Sequence, residues 1–121
     1  MDNLQWETIQ YEKANGERPL FDFLASLPIK AQEKVIRDIE LLERFGPRWG
    51  MPHVRSLPDH MYELRSKHGS NIYRTFFFRW HDTVLVLTSG YHKKAQKMDT
   101  KKFKQAQQFK DDWIKRKGWK R

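Results

Sequence analysis

MYELRSKHGSNIYRTFFFRWHDTVLVLTSGYHKK, residues 61–94, holds three β-rich runs joined by two short turns. The first run is Met61 to Ser66, and Lys67-His68-Gly69-Ser70 makes the turn that follows it. Asn71 to Trp80 is the second run, His81-Asp82 the next tight turn, and Thr83 to Tyr91 the third run. Short turns impose antiparallel pairing. Closing each turn at its apparent length places Glu63 opposite Arg74, and Arg74 opposite Ser89. Side chains alternate between faces along a strand. One face then carries Glu63, Arg65, Ile72, Arg74, Phe76, Leu87, Ser89 and Tyr91. The other carries Tyr62, Leu64, Tyr73, Thr75, Phe77, Val86 and Thr88. A slip of one residue would exchange the two sets. Two arginines inside strands that otherwise want apolar residues are the feature to be explained.

Upstream, Leu4 to Tyr11 alternates as a half-buried strand does, and Asn15-Gly16 marks a turn. Pro19 opens a short helix, PLFDFLASL. Pro28 suits the first turn of a second helix, because its missing N–H costs nothing there. That helix reaches about Phe45, where Gly46-Pro47 stops it. Ala31, Val35, Ile39 and Leu42 form its apolar stripe, widened by Ile36 and Leu41. Lys30, Lys34, Arg37, Asp38, Glu40 and Glu43 take the opposite side. The two helices make an αα-hairpin that needs a sheet or a partner to cover. Residues 46–60 form an irregular connection in which Val54 to Leu57 reads as a short edge strand. Trp49 reads as cover for a core edge. Downstream, Asp99-Thr100 is a good N-cap for a last helix, with Phe103, Ala106, Phe109 and Trp113 as a thin apolar stripe. Strands and helices are segregated along the chain, so the fold class is α+β. The sheet should have about four to five strands. At 121 residues the chain is expected to form a single domain, 1–121, with a frayed basic tail from about 118.

Net charge is +9, and it is unevenly placed. Residues 1–92 hold twelve Lys and Arg against twelve Asp and Glu, while residues 93–121 hold twelve Lys and Arg against Asp99, Asp111 and Asp112. The whole excess lies in the last quarter, which points to a polyanion or an acidic protein as partner. There is no cysteine, which excludes disulfides and thiolate chemistry. The N-terminus lacks the basic-then-apolar pattern of a signal peptide, and no stretch approaches the length of a membrane helix. A cytoplasmic protein without a membrane partner is the expectation.

Arg65, Arg74 and Tyr91 are expected to be neighbours on one sheet face, with Lys93 continuing the alternation and Lys94 just past the strand end. Arginine forks suit phosphate bidentately and lysine supplies a point charge. Tyrosine stacks on a base or moves a proton. Such a set could cleave RNA without metal, because the 2′-hydroxyl is the nucleophile and the protein stabilises charge on phosphorus. An ordinary cross-strand ion pair between Glu63 and Arg74, with Tyr91 as core, remains open. The histidines at 53, 60, 68, 81 and 92 lack paired metal-ligand spacing. His53 lies in a loop that could reach a site but reads first as a surface residue. Asp111 and Asp112 read as solvent-facing. No phosphate-binding glycine loop, GxSxG or HExxH occurs.

The order YELR, turn, IYRTFFF, turn, VLVLTSGYHKKAQKMD, basic helix resembles the RelE/ParE superfamily of toxins from type II toxin–antitoxin systems, nearest to its phage-derived, HigB-like branch. LFDFLASLPIKAQEKVIRDIELLERFG is similar in kind to that group's helical hairpin, and the likeness covers most of residues 5–115. The resemblance implies a hairpin packed on a twisted antiparallel sheet, with basic residues on the concave opposite side. It implies a metal-independent and cofactor-free mRNA interferase that cuts mRNA in the A site of the 70S ribosome. Arg65, Arg74, Tyr91 and Lys94 would be the catalytic set, and His92, Lys93, Lys97, Lys101 and Lys102 would bind RNA. A cognate antitoxin, often with a helix-turn-helix domain, would neutralise the toxin, and the complex would bind operator DNA. The chain departs from the pattern at Ser89, where the branch often has histidine, at Tyr91 in place of Phe, and at Asp99 in place of proline. ParE-like members share the fold but act by binding gyrase, and a non-catalytic nucleic-acid-binding module would carry the same basic tail.

Overall fold

The computed structural model of the protein describes residues 5–92 and 99–118. Five strands form one sheet: β1 (Glu7–Gln10), β2 (Val54–Leu57), β3 (Met61–His68), β4 (Asn71–His81) and β5 (Val84–His92). Three helices accompany it: α1 (Pro19–Ala25), α2 (Ile29–Phe45) and α3 (Thr100–Lys117). The class is α+β, and the strand order is β1-β5-β4-β3-β2. Pairs β2–β3, β3–β4 and β4–β5 are antiparallel, but β1 lies parallel to β5. The sheet is therefore mixed, which the expectation of an antiparallel sheet did not include. The reason is topological. After β1 the two hairpin helices carry the chain to β2 at the far edge, running opposite to β1, and the three antiparallel reversals through β3 and β4 bring β5 back beside β1 in the same direction.

Turn geometry moves the register without moving the faces. The β3–β4 connection is the two-residue turn Gly69-Ser70, with His68 paired to Asn71 and Gly69 at φ 63. The expected four-residue turn was two residues too long. Arg65 therefore pairs with Arg74, Arg74 with Tyr91 and Glu63 with Phe76. A shift of two keeps every side chain on its face. A bulge on β5 then changes part of the expected assignment. Phe76 pairs with Ser89 but Phe77 with Leu87, so Thr88 is the extra residue. Its hydroxyl donates to the Phe76 carbonyl at 3.2 Å. Beyond this bulge Leu87 joins the hairpin side and Val86 the other, the reverse of simple alternation.

The hairpin covers the first face. Leu20 and Leu24 of α1 and Ala31, Val35 and Leu42 of α2 pack with Leu64, Tyr73, Phe77, Leu85 and Leu87. Gly90 makes the α1 contact possible, because a Cβ there would come within 2.5 Å of the Phe23 ring. Gly46 ends α2 at φ 70, and the Trp6 indole occupies the space its side chain would fill. Two α2 positions differ from the sequence pattern. Asp38 is buried, with Lys34 held to its carboxylate at 3.1 Å, and Ile36 is exposed.

The second face is not open. α3 lies across it, and Phe103, Ala106 and Trp113 pack with Met61, Phe76, Phe78, Val86 and Tyr91. Asp99 caps the helix, its carboxylate accepting from the N–H groups of Lys101 and Lys102. Farther along, the buried Lys110 ammonium donates to the Asp59 carbonyl in the β2–β3 turn. Near the C-terminal end the Tyr11 hydroxyl donates to Asp112 at 2.7 Å, and Arg116 donates to Asp112 and to the Glu12 carbonyl. Asp112 is thus engaged, contrary to the solvent-facing expectation, whereas Asp111 is exposed. The Trp80 indole N–H donates to the Gly118 carbonyl at 2.7 Å. The remainder of the expected tail, residues 119–121, lies outside the described residues. Among the described residues, no helix is long and apolar enough to cross a membrane.

Candidate active site

β3 and β4 position the charged set. Glu63, Arg65 and Arg74 share a face because they stand at alternate strand positions or directly opposite one another. The Arg74 guanidinium donates to Glu63 Oε1 at 3.2 Å, and both side chains are 0% exposed. Arg65 Nε lies 3.9 Å from the same oxygen. One carboxylate therefore stands between two guanidiniums, close to Arg74 and loosely to Arg65. The inner pair is neutral overall, so the surplus positive charge is carried outward by Arg65, whose side chain keeps 16% exposure. The Pro52 carbonyl accepts from Arg65 Nη1 at 3.3 Å and fixes its direction.

Tyr91 is buried too. Its ring stacks on Phe76 at 5.4 Å, and the Arg74 guanidinium lies 6.0 Å from its centroid. The Asp99 N–H donates to its hydroxyl at 3.2 Å. Burial pushes the Tyr91 phenol above its usual pKa, with the Glu63 charge adding to that shift and the Asp99 N–H and Arg74 opposing it. It is a protonated phenol at neutral pH. The expectation that Arg74 and Tyr91 would present themselves to a ligand is thus corrected: α3 and the neighbouring strands enclose both, and they stand behind the surface.

Of the other expected residues, His92 is exposed at the strand end, its ring 2.9 Å from the Asn71 amide oxygen and tilted against Tyr73 at 4.7 Å. Lys101 and Lys102 are exposed on the first turn of α3. Lys93, Lys94 and Lys97 lie outside the described residues. Between α2 and the β2–β3 edge there is a cleft of about 200 Å³. Arg65 and Lys67 line it from β3, Lys34 and Asp38 from α2, and His53 from the loop before β2. His53 stacks face to face on Trp49 at 4.2 Å, and its carbonyl accepts from the Arg65 N–H at 2.8 Å. Trp49 covers a core edge as expected. Sequence reasoning missed the convergence of α2 with His53. The available signal was Asp38, an acid among the apolar spacings of α2. Among the described residues, no group of three His, Cys, Asp or Glu could hold a metal ion.

Of the groups around that buried carboxylate, Arg65 keeps some exposure, and a guanidinium fork can take the oxygens of a phosphodiester. The family model described as "Phage derived protein Gp49-like" (DUF891) matches residues 22–111, and the chain belongs to this family. It is a toxin-like family related to RelE/ParE, and its members are commonly toxins of toxin–antitoxin pairs, which brings an antitoxin with it as partner. No curated protein matches the chain.

Proposed function

We propose that this protein is the toxin of a type II toxin–antitoxin system, of the HigB-like branch, and that it is a ribosome-dependent mRNA endonuclease acting as a single domain in the cytoplasm. The observation that carries the reading is the Arg74–Glu63–Arg65 ladder, which holds a charged guanidinium at the surface of a toxin-like fold. Glu63 absorbs the charge of Arg74, and Arg65 is left to meet a phosphate. In the reaction, the 2′-hydroxyl oxygen bonds to the adjacent phosphorus and the bond to the 5′-oxygen breaks. The 2′-hydroxyl loses its proton, and the departing oxygen gains one. Negative charge accumulates on the phosphoryl oxygens between these events, and a fixed guanidinium stabilises it.

Arg65 contacts the phosphate. Arg74 is a positioning residue that acts through Glu63. Tyr91 fixes the start of α3, where Lys101 and Lys102 are presented, and does not itself touch RNA. Lys93, Lys94, Lys97 and His92 supply further phosphate contacts, and affinity falls steeply with salt. The antitoxin, with a helix-turn-helix domain, blocks the toxin, and the complex binds operator DNA.

The test is translation in a reconstituted system with the purified chain, read by primer extension on the mRNA. Discrete cuts that require ribosomes and disappear with Arg65→Ala are expected. Intact mRNA and unaffected translation would overturn the reading, and inhibition of gyrase supercoiling would then replace it with a ParE-like one.

A further inference from the structure

The cleft between α2 and the β2–β3 edge has a built wall and an unbalanced charge. Lys34 and Asp38 neutralise each other at 3.1 Å, so α2 adds no net charge to it. Arg65 is only loosely shared with Glu63, and among the described residues no carboxylate lies within ion-pair distance of Lys67. The cleft is thus a positive site with a neutral far wall. Arg65 is anchored by the Pro52 carbonyl, and His53 is anchored on Trp49. Anchored donors lose little freedom when a ligand arrives.

We propose that this cleft is a phosphodiester subsite for single-stranded RNA, in which Arg65 and Lys67 hold the phosphate and His53 hydrogen-bonds it. The proposal rests on the RNA-cleaving reading above and adds Lys67 and His53 to it. Size supports a polymer over a free cofactor. The volume of about 200 Å³ is below the roughly 300–1,000 Å³ of typical small-molecule pockets. It accommodates one phosphoryl group of a chain whose neighbours run out over the surface. Position supports the same conclusion, because Arg65 belongs both to this cleft and to the ladder with Arg74. RNA held here would pass from the Arg65 end of the sheet along the α2 flank, on the side of β3 away from β5.

The experiment is fluorescence anisotropy of the full chain with a short fluorescein-labelled single-stranded RNA, titrated with salt. Lys67→Gln should weaken binding about fivefold and reduce the slope of log affinity against log salt by about 0.7, the loss of one single-strand phosphate contact. His53→Gln should weaken it about threefold, the loss of one well-placed hydrogen bond. Lys104→Gln, on the exposed side of α3, should change it less than about twofold. All three positions are at least partly exposed, and matching thermal melts would show that the variants are folded. Wild-type affinity and slope in both Lys67→Gln and His53→Gln would overturn the proposal. Failure of the cleft and failure of the nuclease reading look different. If the wild type cuts mRNA on ribosomes and the two cleft variants bind RNA unchanged, the cleft is wrong and the nuclease stands. If the wild type cuts nothing while the variants lose RNA affinity, the nuclease reading is wrong and the cleft still binds RNA.

Discussion

The two faces of the sheet are packed by different means. On the hairpin face the core is Leu20, Leu24, Ala31, Val35, Leu42, Val54, Leu64, Phe77, Leu85 and Leu87, with Tyr73 as its polar-tipped member and, among the described residues, the Asp38–Lys34 pair of α2 as its one ion pair. On the α3 face, apolar contacts are interleaved with Glu63, Arg74, Lys110 and the Tyr11–Asp112–Arg116 chain. Apolar packing tolerates approximate fit, and its strength scales with area. Buried charge does not tolerate loss of a partner. The hairpin face therefore fixes the fold, whereas the α3 face fixes where charge can appear.

The largest expected effect is at Glu63. Glu63→Ala removes the buried carboxylate that accepts from Arg74, and should destabilise by about 3–5 kcal/mol in urea denaturation. The double variant Glu63→Leu with Arg74→Met should recover most of that loss, since well-packed apolar replacements of buried ion pairs are often neutral or stabilising. A cost below about 1 kcal/mol for Glu63→Ala would erase the contrast between the faces.

Leu42→Ala is the matching change on the hairpin face. It should cost about 2–4 kcal/mol by the same measurement, from lost transfer energy and the residual cavity. It should leave the salt dependence of RNA binding unchanged, because no charge has moved. A changed salt slope would mean that the two faces are coupled.

The smallest effect is the Tyr11 clamp. Burial and the Asp112 carboxylate push the Tyr11 phenol up from 10.0 to about 12. A raised folded value means that the protonated phenol is favoured in the native state. Its contribution is therefore fully present below pH 10 and is lost as pH rises towards 12. Tyr11→Phe should cost about 1 kcal/mol at neutral pH and flatten the fall in stability over that alkaline window. An unchanged alkaline profile would show that Asp112 is held by Arg116 alone.

The fold was largely legible because its signals are local. Proline at the start of each hairpin helix, Gly46 after the second, three β-rich runs and the Asp99 cap each act within a few residues. What was not legible depends on geometry across elements. The register missed by two because Lys67 and His68 continue β3 instead of turning, and only Gly69 takes the positive φ that the turn needs. The Thr88 bulge has no sequence mark, since Val, Leu and Thr all suit a strand. For the site, the residue types near Arg65 and Arg74 were readable, and the alternative of a Glu63–Arg74 ion pair is the one found. The burial of Tyr91 was not readable, because it is imposed by α3. A thin apolar stripe among lysines does not announce that the helix will lie across the sheet. Lys110 shows why: its ammonium is satisfied by Asp59, a partner that only tertiary structure brings near.

The position of α3 at the end of the chain order has a consequence for synthesis. Ribosomes release a chain from its N-terminus, so the hairpin face can close while α3 is still unmade. Until α3 emerges, Met61, Phe76, Phe78 and Val86 form a bare apolar sheet surface, and Glu63 with Arg74 lies in water. The second face is thus closed late, by a helix that carries seven Lys and Arg against two Asp. A nascent chain halted before residue 100 would be sticky rather than cationic, a client for chaperones instead of a ligand for nucleic acid.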